Sequence, residues 1–253
     1  MARQKLGQHF LVHGSILERI ATAACPEHER LVVEIGPGRG ALTEKLLQRA
    51  DRVVAIELDY ALVEHLRRKF VGEPRLEVIH ADAITIDLSQ WGDAPIAGNL
   101  PYYAATAVIG QTVRQRARRA VFLIQKEVAD RLTAQPHTRE YGYLTVATRL
   151  FAEARLLFGV KPGAFHPPPK VDSAVVLLTP RADPWDTGGG DAENVAAFLR
   201  FLGHCFQHKR KTLRNNLAET YGKETVDAWP EAGLRAEQIT MAGFAEIYRR
   251  LRR

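Results

Sequence analysis

The sequence contains little cysteine. Only two occur among its 253 residues, Cys25 and Cys205, and they stand far apart in the chain. Two cysteines cannot build a disulfide framework, and without a Cys-x-x-Cys pair or a Cys/His cluster the usual signature of a zinc site is missing. We therefore expect two reduced thiols, a reducing compartment and no bound metal.

Long hydrophobic runs are also missing. No apolar stretch approaches the roughly 20 residues that a membrane span requires. The opening segment MARQKLGQHFLVHG carries basic residues but no apolar signal core. We expect a cytoplasmic protein with no membrane partner.

Acidic residues are fewer than basic ones. Asp and Glu number 29 against 35 Lys and Arg, which gives a net charge of +6 and a pI near 9.4. A positive balance favours polyanion partners, but only weakly. Composition therefore leaves a nucleic-acid ligand open without requiring one.

Apolar runs that alternate with helical patterns are abundant in the first 180 residues. The predicted strands are LVVEI at 31–35, two runs that end near Glu57 and His80, a fourth in APIAGNLPYY, a fifth in RAVFLIQ, and a last one, SAVVLLTP, closed by Pro180. Strands that alternate with helices predict a doubly wound, mostly parallel α/β sheet.

A change in composition divides the chain. The stretch PRADPWDTGGGD at 180–191 combines proline, aspartate and a triple glycine, which interrupt regular structure. The segments after it have helical patterns and no strand signal. We predict an α/β domain over 1–180, a linker over 181–191, and a small C-terminal all-helical domain over 192–253.

Polar or glycine residues follow four successive predicted strands. Gly36, Glu57, Asp82 and Asn99 each stand at or just after a strand end. In doubly wound sheets, ligands bind outside the carboxyl ends of the strands. The four positions therefore predict one shared binding site.

The glycine turn and the two carboxylates indicate a nucleoside. GPGRGA fits the G-x-G-x-x-G/A turn of dinucleotide sites, and from Glu34 it also fits E-x-G-x-G-x-G, which resembles the first motif of S-adenosylmethionine-dependent methyltransferases. Glu57 could accept hydrogen bonds from ribose hydroxyls in either case. Asp82 could accept from an adenine amino group. Taken singly, the glycines could form a plain turn and Asp82 a cap.

The stretch GNLPY adds a candidate for chemistry on an adenine. Asn99 offers a side-chain oxygen, and a backbone carbonyl beside Pro101 offers a second acceptor. Two acceptors on the hydrogens of an exocyclic amine would direct its lone pair and stabilise the developing positive charge. Tyr102 could stack on a flipped-out base. The alternative is an ordinary turn at the end of a strand.

Over nearly its whole length, the chain closely resembles the small-subunit ribosomal RNA adenine N6-dimethyltransferases. The matching stretches are LGQHFL, EIGPGRGALTEKL, IELD, ADA, GNLPY, LIQKEVADRL, AFHPPPKVDSAVV and HKRKTLRNNL. The resemblance implies a Rossmann-like methyltransferase sheet, S-adenosylmethionine as cofactor, and transfer of two methyl groups to each of two adjacent adenosines near the 3′ end of small-subunit ribosomal RNA, on a pre-ribosomal particle.

The resemblance also implies site residues. The expected cofactor contacts, counting the second glycine of the turn, are His9, Leu11, Gly36, Gly38, Glu57, Asp82 and Asn99. The expected catalytic residues are Asn99, Leu100, Pro101, Tyr102 and Phe165. Many relatives have asparagine after NLPY, whereas this chain has Tyr103, which is a poor helix cap.

Basic clusters are candidates for RNA contacts through phosphates. We expect Lys209, Arg210, Lys211 and Arg214 to bind RNA, because they lie in a stretch that resembles the family. The arginines of VRQRARRA and of YRRLRR are better explained as solvated surface. Two alternatives remain: a large-subunit RNA adenine methyltransferase of the macrolide-resistance type, and a non-catalytic ribosome assembly factor. We expect a monomer.

Overall fold

The structure, a computed structural model, describes residues 9–115, 117–181 and 192–252. The strands it describes there are β1 (Phe10–Leu11), β2 (Val32–Ile35), β3 (Val53–Glu57), β4 (Leu76–His80), β5 (Ile96–Asn99), β6 (Ala120–Gln125), β7 (Ala152–Val160), β8 (Phe165–His166) and β9 (Ser173–Pro180). The α-helices are α1 (Gly14–Ala24), α2 (Ala41–Leu46), α3 (Tyr60–Lys69), α4 (Ala105–Arg114), α5 (Lys126–Thr133), α6 (Tyr143–Arg149), α7 (Ala192–Cys205), α8 (Leu213–Tyr221), α9 (Lys223–Asp227) and α10 (Met241–Leu251).

Seven strands form one sheet in the order β4-β3-β2-β5-β6-β9-β7. The first five are mutually parallel, β9 is antiparallel to β6, and β7 is antiparallel to β9. Strands β2 and β3 are buried along their full length, as their mostly apolar sequences predict. The predicted α/β class is confirmed.

Strand β7 is the element of this sheet that the sequence pattern did not indicate. Its residues alternate irregularly between buried and exposed, and the register shifts between Leu156 and Phe158. It lies at the edge of the sheet with one neighbour, β9. A bulged edge strand lacks the period-2 pattern by which strands are recognised.

Strand β5 approaches its neighbour β2 very closely. A Cβ atom at Gly98 would collide with the carbonyl oxygen of Ile35 on β2. Only glycine permits this contact between backbones. The close approach places the end of β5, and therefore Asn99, directly beside the glycine turn that follows β2.

Contacts between Cα atoms divide the chain into two compact units. The first comprises the chain up to Ala129 together with Ala152–Pro180, and the second comprises Asp130–Phe151 together with the chain from Arg181 onward. These units differ from the predicted domains because Asp130–Phe151 groups with the C-terminal helices. Most of the predicted linker, 182–191, lies outside the described residues.

The second unit is helical over its described residues and has an aromatic core. Phe198, Phe201 and Phe244 are fully buried, and the Tyr141 hydroxyl donates to the carbonyl of Ile239 at 2.9 Å. Cys205 is buried here, and Cys25 is buried in the first unit; both are free thiols. No helix in the described part of the chain is long and apolar enough to cross a membrane.

Candidate active site

A cavity of about 480 Å³ opens at the carboxyl ends of the parallel strands in the first unit. Its walls come from the loops after β2, β3, β4 and β5, from the segment at residues 9–12, and from β8. Every residue that the sequence predicts for cofactor binding or catalysis lines it: His9, Leu11, Gly36, Gly38, Glu57, Asp82, Asn99, Leu100, Pro101, Tyr102 and Phe165. The fold therefore brings these residues together around one space.

Glu57 ends β3 and is held by the glycine turn. Its Oε2 accepts the backbone N–H of Gly38 at 3.1 Å, and its Oε1 accepts that of Asp59 at 2.9 Å. Gly38 has a φ of 58°, a conformation that favours glycine. A carboxylate can accept four hydrogen bonds, and the backbone N–H of Leu58 is a third donor to Glu57, so at least one acceptor position remains. Burial raises the pKa of this carboxyl group.

Asp82 follows β4 and organises its own loop. Its Oδ1 accepts the N–H of Ile84 at 2.9 Å, and its backbone carbonyl accepts the N–H of Ile86 at 3.0 Å. The side chain is partly buried and lies on the cavity wall. The local bonds fix the carboxylate beside the cavity, at the strand exit next to that of Glu57.

Asn99 ends β5, and the segment at residues 9–12 orients its side chain. Its Nδ2 donates to the backbone carbonyl of His9 at 3.1 Å. The His9 ring in turn donates from Nδ1 to the carbonyl of Pro167 at 2.8 Å. With Nδ2 engaged, Oδ1 is the atom of the Asn99 amide that remains to accept a hydrogen bond.

The backbone carbonyls of Leu100 and Pro101 differ in the hydrogen bonds that they accept. The carbonyl of Pro101 accepts the N–H groups of both Ala104 and Ala105, at 2.9 and 3.1 Å. No described residue donates a hydrogen bond to the carbonyl of Leu100. Of these two carbonyls, that of Leu100 is therefore the one that can still accept a hydrogen bond from a ligand.

Two aromatic rings line the cavity near this loop, those of Tyr102 and Phe165. The Tyr102 hydroxyl forms a 2.9 Å hydrogen bond with Ser173 Oγ on β9. Phe165 is buried, and its backbone pairs with Leu11 in the small β1–β8 ladder. Both rings line the cavity and are fixed by strands that lie far from them in sequence.

Tyr103 does not cap the helix that follows it. Helix α4 begins after Ala104, which makes no side-chain cap bond, and the Pro101 carbonyl satisfies the first N–H groups instead. The Tyr103 side chain is 61% exposed and lies on the cavity wall. Partial burial, followed by the charges of Glu57 and Asp82, raises the pKa of its hydroxyl.

Two further charged residues line the cavity, Arg39, to which sequence reasoning assigned no role, and Glu34, which it placed only as the first residue of the E-x-G-x-G-x-G motif. Glu34 lies on β2, is 1% exposed, and accepts a 2.6 Å hydrogen bond from the Thr43 hydroxyl. Burial raises its pKa to about 8. A glutamate inside an otherwise apolar strand was the available signal, because an ionisable group there is costly without a purpose.

The four basic residues predicted to bind RNA lie in the second unit, and all four are exposed. Arg214 forms a 2.5 Å ion pair with Asp227, and Lys209 donates to the carbonyl of Arg139. Arg210 and Lys211 have no ion pair with a described residue. Elsewhere, Arg118 pairs with Glu29 and Arg250 with Glu231, while Arg116 lies outside the described residues.

This fold defines the class to which the protein belongs. A mostly parallel sheet whose strand ends surround one cavity is a Rossmann-like α/β domain, and the cavity lies where such domains bind nucleotides.

The family follows from comparison with known proteins. The model for ribosomal RNA adenine dimethylase matches residues 1–251. The chain belongs to this family, and it is an RNA adenine methyltransferase of Rossmann-like fold.

Relatives and solved structures agree with this assignment. A ribosomal RNA small subunit methyltransferase A from Acidobacterium capsulatum is 40% identical over 98% of this chain and 91% of its own length. A protein of the same description from Leuconostoc mesenteroides is 38% identical, over 99% of this chain and 90% of its own.

Two crystal structures extend the likeness to the fold. A dimethyladenosine transferase from Plasmodium falciparum has a TM-score of 0.75 at 26% identity and covers 94% of this chain and 96% of that one. The 23S rRNA methyltransferase ErmE has a TM-score of 0.70 at 27% identity and covers 96% of this chain and all of that one. The resemblance on which the sequence analysis relied is confirmed.

Proposed function

We propose that the protein transfers methyl groups from S-adenosylmethionine to N6 of two adjacent adenosines near the 3′ end of small-subunit ribosomal RNA. Its family acts on ribosomal RNA adenine, and the two relatives compared above are described as small subunit methyltransferases. The observation that carries the proposal is the loop from Asn99 to Tyr102, which faces the same cavity as Glu57 and Asp82.

The hydrogen-bond acceptors that line the cavity fit S-adenosylmethionine. The Glu57 carboxylate keeps an acceptor position that suits a ribose hydroxyl. Asp82, at the next strand end, can accept from the adenine amino group of the cofactor. When bound, the cofactor supplies an electrophilic methyl group on a sulfonium.

The acceptors at the end of β5 fit the target adenine. Asn99 Oδ1 and the Leu100 carbonyl are two acceptors of this loop to which no described residue donates a hydrogen bond. If each accepted one hydrogen of the exocyclic amine, the nitrogen lone pair would be directed toward the methyl group. The same two oxygens would stabilise the positive charge that develops on nitrogen. Tyr102 and Phe165 offer rings on which the base could stack.

Methyl transfer from labelled S-adenosylmethionine tests the proposal. The acceptors are undermethylated small subunits, large subunits, naked RNA and duplex DNA, and modified nucleosides are identified by mass spectrometry. N6-dimethyladenosine from small subunits alone is the expected result. Label in the large subunit would favour a large-subunit methyltransferase of the macrolide-resistance type. This chain shares its fold with the 23S rRNA methyltransferase ErmE. Particle binding without label would favour a non-catalytic assembly factor.

Three further expectations belong to this proposal. The target is a pre-ribosomal particle, the protein acts as a monomer, and it is located in the cytoplasm. The exposed residues Lys209, Arg210, Lys211 and Arg214 would contact RNA phosphates, which supply affinity without reading sequence.

A further inference from the structure

The cavity has an unequal balance of charge. Three carboxyl groups line it, those of Glu34, Glu57 and Asp82, whereas Arg39 is the only lysine or arginine among its described lining residues. Arg39 follows Gly38 in the glycine turn, and its guanidinium forms no ion pair with a described residue. A cation that remains unpaired beside three carboxyl groups is available to an anionic ligand.

The side chain of Arg39 is held in place without using its hydrogen-bond donors. Its guanidinium carbon lies 4.5 Å from the centre of the Phe10 ring. Phe10 packs against Gly38, where an added Cβ would approach the ring to 3.1 Å. The backbone of Phe10 belongs to the β1–β8 ladder. Stacking on an aromatic ring leaves the N–H groups at the guanidinium edge free to donate.

The backbone of Arg39 is fixed as well. Its carbonyl accepts a hydrogen bond from Lys69 Nζ at 2.9 Å, and the same ammonium forms a 2.8 Å ion pair with Glu44. The backbone position is therefore fixed, and the exposed side chain keeps one ring contact, with Phe10, before any ligand binds. Preorganisation of this kind reduces the entropy cost of binding.

We propose that Arg39 binds the carboxylate of the methionine part of S-adenosylmethionine. This rests on the proposed function. With the nucleoside end assigned to Glu57 and Asp82 and the methyl group facing Asn99, the amino-acid end falls to the remaining wall, formed by the glycine turn and residues 9–12. Its carboxylate needs a cation near Glu57 and Asp82, whose carboxylates would repel it, and a guanidinium can meet a carboxylate with two parallel hydrogen bonds.

A ligand that differs only in the carboxylate tests the proposal. Binding of S-adenosylmethionine and of decarboxylated S-adenosylmethionine is measured by calorimetry for the full chain and for Arg39→Leu. The variant should bind S-adenosylmethionine about tenfold more weakly, the size expected for a partly exposed charged hydrogen bond. It should bind the decarboxylated ligand within about twofold of the unaltered chain, because that ligand has no carboxylate for Arg39 to bind. Arg39→Lys keeps the positive charge but not the forked guanidinium. Its affinity for S-adenosylmethionine should lie between that of the unaltered chain and that of Arg39→Leu.

A second arginine provides the matched control. Arg19 lies 3.5 Å from the centre of the Phe158 ring in the same unit, and it does not line the cavity. Arg19→Leu removes the same kind of cation–π contact and should leave both affinities unchanged. Equal weakening of both ligands by Arg39→Leu, or of neither, would overturn the proposal. Failure of the unaltered chain to bind either ligand would instead refute the proposed function.

Discussion

Among the residues that the structure describes, the two compact units differ in whether they bury charged side chains fully. In the first unit, Glu34 and Glu57 are buried beside the cavity, and backbone or hydroxyl donors hold them in place. In the second, arginines lie at or near the surface and several are neutralised, such as Arg214 by Asp227 and Arg250 by Glu231. Burial makes Glu34 and Glu57 costly and geometrically fixed, whereas a more exposed pair such as Arg214–Asp227 contributes charge with little positional demand. Specificity is therefore expected from the first unit and general RNA affinity from the second.

The largest effect is expected at Asn99. Asn99→Ala removes one of two oxygens aimed at the developing charge on the amine, so the methyl-transfer rate should fall by about 10²–10³. Asn99→Asp should also be impaired, because a carboxylate cannot donate to the His9 carbonyl as Nδ2 does. Single-turnover transfer to undermethylated small subunits measures the loss. A rate close to that of the unaltered enzyme would show that Asn99 is not catalytic.

Glu57 should determine cofactor affinity. Glu57→Ala removes a charged acceptor from the ribose hydroxyls, which should cost about 1.5–3 kcal/mol of cofactor binding. Calorimetry with S-adenosylmethionine gives the value.

The neighbouring Asp59 supplies the control for Glu57. Asp59 caps α3 by accepting the N–H of Ala61 at 2.8 Å and does not line the cavity. Asp59→Ala should lower the stability of the fold by about 1 kcal/mol and leave cofactor affinity unchanged. Equal affinity losses in the two variants would mean that Glu57 acts only by shaping its loop.

Glu34 should make the stability of the fold depend on pH. Its pKa rises from the ordinary 4.5 to about 8 in the folded protein, so between these values the folded state keeps a proton that the unfolded state has lost. The stabilising contribution is complete below the lower value and is lost as the pH rises toward the upper one. The slope is about 1.4 kcal/mol per pH unit.

Glu34→Gln should remove this slope. The glutamine oxygen can still accept from the Thr43 hydroxyl, so the packing of the site is retained. Denaturant unfolding at several pH values should show the variant gaining stability over the unaltered protein as the pH rises toward about 8. Parallel curves for the two proteins would show that Glu34 is already ionised in the fold.

The smallest effect per residue is expected on the basic surface of the second unit. Replacing Arg210 and Lys211 by alanine should reduce the salt dependence of RNA binding by about 0.7–0.9 in log–log slope for each phosphate that is no longer neutralised. Arg214→Ala should change it less, because Asp227 already neutralises that side chain. An unchanged slope in the double variant would move the RNA-binding surface elsewhere.

Much of the candidate site could be predicted because its residues follow strands whose ends coincide. Gly36, Glu57, Asp82 and Asn99 each stand at or just after a strand end, and parallel strands bring such positions to one edge of a sheet. The roles of Glu34 and Arg39 were not predicted. Whether a charged residue lines a cavity depends on side-chain direction and on neighbours that are distant in sequence.

The grouping of Asp130–Phe151 with the C-terminal helices was also not predicted. Sequence order places these residues before two strands of the sheet, β7 and β9, and composition marks no break on either side of them. Their association depends on packing, as in the bond from the Tyr141 hydroxyl to Ile239, which joins residues 98 positions apart. Local patterns carry no information about such contacts.

By itself, the sequence determined the α/β class, the strand ends that carry the polar residues, and the family. Those properties depend on hydrophobic periodicity and short motifs, which are local. Only the tertiary structure decided that residues 9–12 line the cavity, that the His9 carbonyl orients Asn99, and that Ser173 holds Tyr102. These contacts join segments 71 to 90 residues apart, and they form only because the sheet brings those segments together and the buried polar groups must find partners there.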